Sequence, residues 1–235
     1  MTDIGVRDPF HTGIKVGEGL CSCKKNQHPM KKVVVTGGPG AGKTAVLELA
    51  QKVFCPHVAF VPEGASVLFG GGFWRLDSLE GRKSAQRAIY FVQKELEAMV
   101  QNEKSCVAAL CDRGTIDGLA YWPASEEEFW RSVKRDKEKE LAKYQSVIHL
   151  RTPAYGGGYG YSNPVRIENA DEARRIDDKL IEIWRDHPNQ RVIDTEKHFM
   201  IKAVRALEVI QEELPACCKS QEALQVFRFG NHQKD

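Results

Sequence analysis

The sequence predicts an α/β fold in three layers, a five-stranded parallel sheet with helices on both faces. Two observations carry that prediction. Five short β-branched or apolar runs recur along the 235-residue chain, separated by segments with helical spacing. The first run passes directly into a glycine-rich segment, GGPGAGKT at residues 37–44, and a helical pattern follows.

The elements follow in order. Val33, Val34 and Val35 form a run that is apolar on both faces, the pattern of a buried parallel strand ending at Gly37. Lys43 to Phe54 is helical, with Val46, Ala50 and Val53 on one face. A second strand covers Val58 to Val61 and is stopped by Pro62, after which an irregular stretch is expected around Gly70, Gly71 and Gly72. A long helix is expected from about Gly81 to Gln101, with Ala85, Ile89, Val92, Leu96 and Met99 as its apolar face. The third strand runs from Cys106 to Cys111 and ends on Asp112. Helical pattern resumes at Thr115 and again over Ser125 to Tyr144, where Ser125 and Glu128 have capping-box spacing. The mixed charges between Lys134 and Lys143 read as a solvated helix. Val147 to Leu150 is the fourth strand, followed by a Gly/Tyr-rich loop over 153–164 and a helix carrying Ile176, Leu180 and Ile183. Arg191 to Ile193 is the fifth strand, and Ile201, Val204, Leu207 and Ile210 mark a last helix. The domain is expected over 30–215, between a loose extension at 1–29 and a tail at 216–235. Met30, immediately ahead of the first strand, is an expected alternative start.

Composition narrows the classes. An apolar fraction of 42% and a charged fraction of 28% are those of a globular protein with its own core. A net charge of +2 gives no global pull toward nucleic acid or anionic membrane, and no nucleic acid partner is expected. No apolar run approaches the ~18 residues of a spanning helix, and a cytoplasmic protein is expected. Seven cysteines at irregular spacing make a poor disulfide framework, so reduced thiols are expected. Cys21 and Cys23 lie near His11 and His28, but their spacing fits no standard zinc pattern.

GGPGAGKT fits G-x-x-x-x-G-K-[ST], the P-loop, with Gly37, Gly42, Lys43 and Thr44 in the fixed places. The bare pattern arises by chance in roughly one in a hundred chains of this length, but here the required strand precedes it and the required helix follows. Glycines let backbone N–H groups turn inward onto phosphate oxygens. Gly37, Gly38, Pro39, Gly40, Ala41, Gly42, Lys43, Thr44 and Ala45 are therefore the candidate nucleotide-binding residues. Lys43 reaches the β- and γ-phosphates, and the Thr44 hydroxyl suits Mg²⁺. The expected cofactor is Mg²⁺ with ATP; GTP stays open, although no N-K-x-D guanine-reading motif is present.

Other candidates lie at the strand ends, where parallel sheets bind ligands. Asp112 suits Mg²⁺, or alternatively a helix cap, and Arg113 suits phosphate charge. Glu63, in VPEG, suits a base accepting a proton from a substrate hydroxyl, or is a solvated loop residue. Asp117 could line the same cleft. After the fourth strand, Arg151, Arg166, Arg174 and Arg175 flank the Gly/Tyr loop, as a lid closing over phosphates requires; solvated helix pairs such as Arg174 with Asp178 explain the same charges. Gln86, Arg87 or Tyr90 could touch a second substrate, although an amphipathic face accounts for most of them. His149 and His198 have no evident partner in sequence.

The ordered set VVVTGGPGAGKT, VPEGA, QRAIYFVQKELE, CDRGTIDGLAYWP, IHLRTP and NPVRIENADEARRIDDKL covers nearly all of residues 31–213. It resembles an AAA-like P-loop ATPase family that includes the ribosylnicotinamide kinase domain of the bacterial NAD-biosynthesis regulator and the insect TRPL translocation defect protein, a GTP-binding protein. The resemblance implies an architecture like that of nucleoside and nucleotide kinases, with strand order 2-3-1-4-5 and a lid after the fourth strand. It also implies a basic role for Glu63 and an acid–arginine pair at Asp112 and Arg113. The Gly/Tyr insertion between Arg151 and the later arginines departs from those kinases. Three functions are then open: phosphoryl transfer to an unidentified small nucleoside-like acceptor, an ATP/GTP-binding regulatory switch with a protein partner, and an AAA-like ring ATPase. No separate helical C-terminal domain or intersubunit arginine finger supports the third.

Overall fold

A computed structural model describes residues 29–55, 57–102, 106–153, 170–196 and 198–218. The strands are β1 (Lys31–Thr36), β2 (Val58–Val61), β3 (Ala108–Asp112), β4 (Ser146–Leu150) and β5 (Gln190–Ile193). The helices are α1 (Lys43–Val53), α2 (Gly64–Gly70), α3 (Leu79–Asn102), α4 (Glu126–Val133), α5 (Lys137–Leu141), α6 (Ala170–Trp184) and α7 (Phe199–Glu213). Short 3-10 turns cover Thr115–Tyr121 and Ala216–Cys218.

All strand pairs are parallel and the order is β2-β3-β1-β4-β5, as expected. Strand periodicity splits β1 between two cores. Val33 and Val35 join Val46, Ala50, Ala203, Leu207 and Ile210 under α1 and α7. Val34 joins Ile116, Leu141, Tyr144, Val147 and Trp184 on the other face. The chain crosses from one neighbour of β1 to the other between β3 and β4, and ligands bind outside the carboxyl ends of strands at such a switch point.

Three expectations are corrected. The stretch after β2 opens with a helix, α2, and is irregular only from Gly71. The helix expected over Ser125 to Tyr144 is two short helices, broken at Lys134, whose φ is 52°. The break turns Glu140 inward, fully buried, where it accepts a hydrogen bond from Thr115 Oγ1 at 2.8 Å; a continuous solvated helix would leave that buried hydroxyl without this acceptor. Ser125 does cap α4, accepting from the Glu128 N–H at 3.3 Å. In α3 the buried face is rotated from the apolar one: Ala85, Tyr90, Gln93, Glu97 and Val100 face inward, while Met99 is exposed. Polar groups win these places because other buried groups need them. Glu97 accepts from Lys32 Nζ at 3.3 Å and from Tyr144 Oη at 2.9 Å. The Cys21, Cys23, His11 and His28 group, Arg166 and the Gly/Tyr loop from residue 154 lie outside the described residues. Among the described residues, no helix is long and apolar enough to cross a membrane.

Candidate functional site

The P-loop is tightly wrapped at the carboxyl end of β1. Gly37 has φ 137°, and a Cβ there would lie 2.1 Å from the Leu150 carbonyl oxygen, so no side chain fits. Gly42, with φ 90°, is the N-cap of α1 and supplies no capping side chain. The first-turn N–H groups of Lys43, Thr44 and Ala45 have no intrahelical acceptor, and with the positive helix end they favour an anion. Thr44 is exposed on this turn. Lys43 is buried and donates to the carbonyls of Gly37 (2.9 Å) and Gly38 (3.1 Å). Burial and the nearby Arg113 lower its ammonium to about 8, against the pull of Asp112, Glu63 and Asp117.

Beneath the loop is a fixed layer centred on Asp177, fully buried in α6. Its Oδ1 accepts from the Gly38 N–H at 2.8 Å and lies 2.9 Å from His149 Nε2. Its Oδ2 accepts from the Thr152 N–H at 3.1 Å and pairs with Arg151 at 3.2 Å. Burial alone would raise the Asp177 carboxyl, but His149 and these N–H donors hold it below the ordinary range. Lys202, buried in α7, donates to the carbonyls of Ala41 (2.8 Å) and Arg151. Thr152 Oγ1 donates to the Pro39 carbonyl at 3.4 Å.

Sequence reasoning missed this layer. His149 has no partner within its own segment, and Asp177 is 28 residues away from it. One signal was available: Asp177 falls in the buried stripe Ala173, Ile176, Leu180 and Trp184 of α6, and a carboxylate in such a stripe must be satisfied.

The strand-end candidates come together beside the P-loop. Arg113, with φ 72°, follows Asp112 at the end of β3. Its Nε meets Glu63 Oε1 at 2.5 Å, its Nη1 meets Asp117 Oδ2 at 3.3 Å, and its Nη2 donates to Tyr121 Oη at 3.2 Å. Glu63 also accepts from Ser66 Oγ at 2.5 Å. Burial would raise the Glu63 carboxyl, but Arg113, Lys43 and Ser66 prevail and hold it at about 2. Asp112 has the opposite balance: burial and the neighbouring Glu63 push it up to about 6, against Lys43 and Arg113. Asp112 Oδ1 is a buried oxygen with no hydrogen-bond partner among the described residues.

Asp117 does not line the cleft. It is buried and accepts from Thr36 Oγ1 (2.6 Å) and Trp184 Nε1 (2.7 Å) as well as Arg113. Gln93 is a further missed contributor: its Oε1 accepts from the Gly64 N–H at 2.8 Å and its Nε2 donates to the Arg113 carbonyl at 3.2 Å. It thereby couples the residue after Glu63 to Arg113. The other α3 candidates face elsewhere. Tyr90 is buried against Phe129, Gln86 lies near Gly118, and Arg87 bonds Ser84.

The arginines after β4 separate. Arg151 is drawn onto Asp177 and Asp178 at the P-loop. Arg174 is half-buried in α6. Arg175 lines an outer groove with Leu119, Trp122 and Lys179, away from the phosphate loop.

A family model described as an AAA domain matches residues 32–199. No curated protein matches the chain. Among solved structures, thymidylate kinase from Ehrlichia chaffeensis is similar with a TM-score of 0.51 at 14% identity, over 78% of this chain and 99% of that one. Shikimate kinase from Acinetobacter baumannii matches at 17% identity with a TM-score of 0.45, over 80% of this chain and 93% of that one. At such identities the likeness is one of fold, and the thymidylate kinase match, with the observed strand order, is that of a three-layer α/β P-loop protein. With the family model spanning the P-loop and all five strands except Lys31, the chain belongs to the AAA domain family.

Proposed function

We propose that this protein binds ATP with Mg²⁺ and transfers the γ-phosphoryl group to a hydroxyl of a small nucleoside-like acceptor. One observation supports this above the others: Glu63, Asp112 and Arg113 gather at the ends of β2 and β3, within the electrostatic reach of Lys43. A protein that only held a nucleotide would need the P-loop but not this pairing of Glu63 with Arg113 beside it.

The residues present fit a magnesium ion. Asp112 has a buried oxygen lacking a partner among the described residues, and Thr44 is exposed on the adjoining helix turn. Asp112 and Thr44 would hold the ion, directly or through water, and its chemistry when bound is neutralisation of β- and γ-phosphate charge. The N–H groups of the loop and of the first turn of α1 hold the phosphates. Lys43 exchanges the Gly37 and Gly38 carbonyls for phosphate oxygens, which keeps the ammonium protonated. The acceptor hydroxyl hydrogen-bonds Glu63, which Arg113 and Ser66 hold in place and ionised. As the acceptor oxygen bonds to the γ-phosphorus and the bond to the β-phosphate oxygen breaks, the hydroxyl proton passes to Glu63 and then to solvent. A carboxylate held at about 2 is a weak base, which suits a loose transition state in which the proton leaves late and the main task is orientation. Arg113 balances charge at the acceptor side, and Arg151 stands at the base of the loop that follows β4.

The test is a phosphotransfer screen with ATP·Mg²⁺ against nucleosides, deoxynucleosides and ribosylnicotinamide. A labelled phosphorylated acceptor is the expected product. Glu63→Gln should lower its rate by about 10²–10⁴-fold while leaving triphosphate affinity nearly unchanged. Slow hydrolysis with no phosphorylated acceptor overturns the reading and favours a nucleotide-dependent switch. That alternative draws on one observation: α2 leads from Glu63 to an exposed apolar stretch at Phe73, Trp74, Leu76 and Leu79, which a protein partner could cover.

A further inference from the structure

Away from the P-loop, two distant parts of the chain bring soft ligands together. Cys55 and His57 flank the short connection between α1 and β2, and Cys218 ends the 3-10 turn after α7. The candidate ligand atoms of the three side chains all lie within 4.8 Å of one another, and Cys55 Sγ is 3.8 Å from His57 Nδ1. The eleven residues of α1 separate this cluster from the P-loop by roughly 16 Å along the helix.

We propose that Cys55, His57 and Cys218 form a binding site for Zn²⁺ or a similarly soft divalent ion. A tetrahedral zinc with Zn–S near 2.3 Å and Zn–N near 2.0–2.1 Å sets neighbouring ligand atoms about 3.5–3.8 Å apart. The Cys55–His57 separation already meets that spacing, and side-chain rotation of up to about 1 Å brings in the rest. Two thiolates and one imidazole select zinc over magnesium or calcium, which prefer oxygen.

The backbone around each ligand is fixed. The Cys55 carbonyl accepts from the Val58 N–H at 3.0 Å, the His57 carbonyl from the Val107 N–H at 2.9 Å, and the Cys218 N–H donates to the Pro215 carbonyl at 2.8 Å. Cys55 Sγ lies in contact with His57 Nδ1, and it would bind the ion as the thiolate, giving its proton to solvent. Binding would release the Cys218 proton to solvent. Cys218 is buried, while Cys55 and His57 are half-buried, so an ion can enter from their side and keep one position for water. Such an ion would staple the end of α7 to the start of β2. The staple does not depend on the proposed phosphoryl transfer.

The test uses the full chain, reduced with a non-thiol phosphine and stripped of metal, then titrated with Co²⁺ as a spectroscopic stand-in for zinc. Expected are one equivalent bound, a sulfur-to-cobalt charge-transfer band and displacement by Zn²⁺. Cys55→Ser, His57→Ala and Cys218→Ser should each weaken binding at least tenfold, whereas Cys106→Ser and a Cys21→Ser/Cys23→Ser double variant should bind as the parent does. On the unsubstituted protein, Zn²⁺ should slow alkylation of Cys55 by iodoacetamide, read by peptide mass spectrometry. No cobalt band, an undiminished band in Cys218→Ser, or alkylation of Cys55 unaffected by zinc overturns the site.

Discussion

Lys43 and Asp112 show how one neighbourhood treats opposite charges. Lys43 is buried among carbonyls and faces Arg113, so its ammonium is lowered to about 8, and among the described residues it has no anionic partner at ion-pair distance. A triphosphate supplies that partner. Lys43→Met should therefore weaken triphosphate binding by about 10–100-fold, the 1.5–3 kcal/mol of a charged hydrogen bond, in a titration with fluorescent ATP. Asp112 is raised to about 6 by burial and Glu63. Because the folded value lies above the ordinary 3.8, its contribution to stability is present below that value and is lost as pH rises through about 6. The proposed magnesium binding would have the reverse sense, since the ion competes with the proton. Mg²⁺-dependent tightening of triphosphate should grow as pH rises through about 6 and vanish in Asp112→Asn, checked by calorimetric titration with and without the ion.

At the scale of elements, α6 is a brace for the P-loop. Its Asp177 fixes Gly38, Thr152 and His149 at once, linking the loops after β1 and β4 to the strand that bears His149. Asp177→Ala would leave two buried N–H groups and an imidazole without their acceptor. Breaking a buried pair costs about 3–5 kcal/mol. For a domain of this size each kcal/mol moves Tm by about 2–4 °C, so a fall of roughly 6–20 °C is expected in thermal unfolding. Asp177→Asn, which keeps the shape and one acceptor, should fall between parent and alanine. The element α3 makes a related point. Its apolar residues predicted a helix of nearly the observed length, but the inward face belongs to Gln93 and Glu97 as much as to Ala85 and Val100. Periodicity reports where apolar residues lie, and it does not report which polar residue a neighbouring element needs.

At the scale of the whole molecule, a ligand bound at the junction of β1, β3, α1 and α6 stabilises all of them together. ATP with Mg²⁺ at 100 times its dissociation constant should add about 2.7 kcal/mol, a rise of roughly 5–11 °C in Tm. AMP should add little, because the proposed P-loop contacts are to the β- and γ-phosphates, which AMP lacks. The same measurement with GTP reads base preference, since the chain lacks the N-K-x-D guanine-reading motif.

The five strands, most of the helices and the phosphate loop were legible because each rests on local patterns, whereas the strand order rested on the resemblance to nucleoside and nucleotide kinases. β-branched runs make buried parallel strands, 3.6-residue spacing makes helices, and glycines at fixed places let a backbone wrap an anion. Lys43, Glu63, Asp112 and Arg113 were legible as strand-end residues because parallel sheets place such ends along one edge. What only the tertiary structure decided are the partners of those residues. His149 needed Asp177, Asp117 turned inward to Thr36 and Trp184, Gln93 reached Gly64 and Arg113, and Cys55 met Cys218 from near the far end of the described chain. Each is a buried or half-buried polar or soft group whose satisfaction comes from a remote segment. Sequence spacing carries no record of that distance; folding sets it, because burial removes the water that would otherwise satisfy the group.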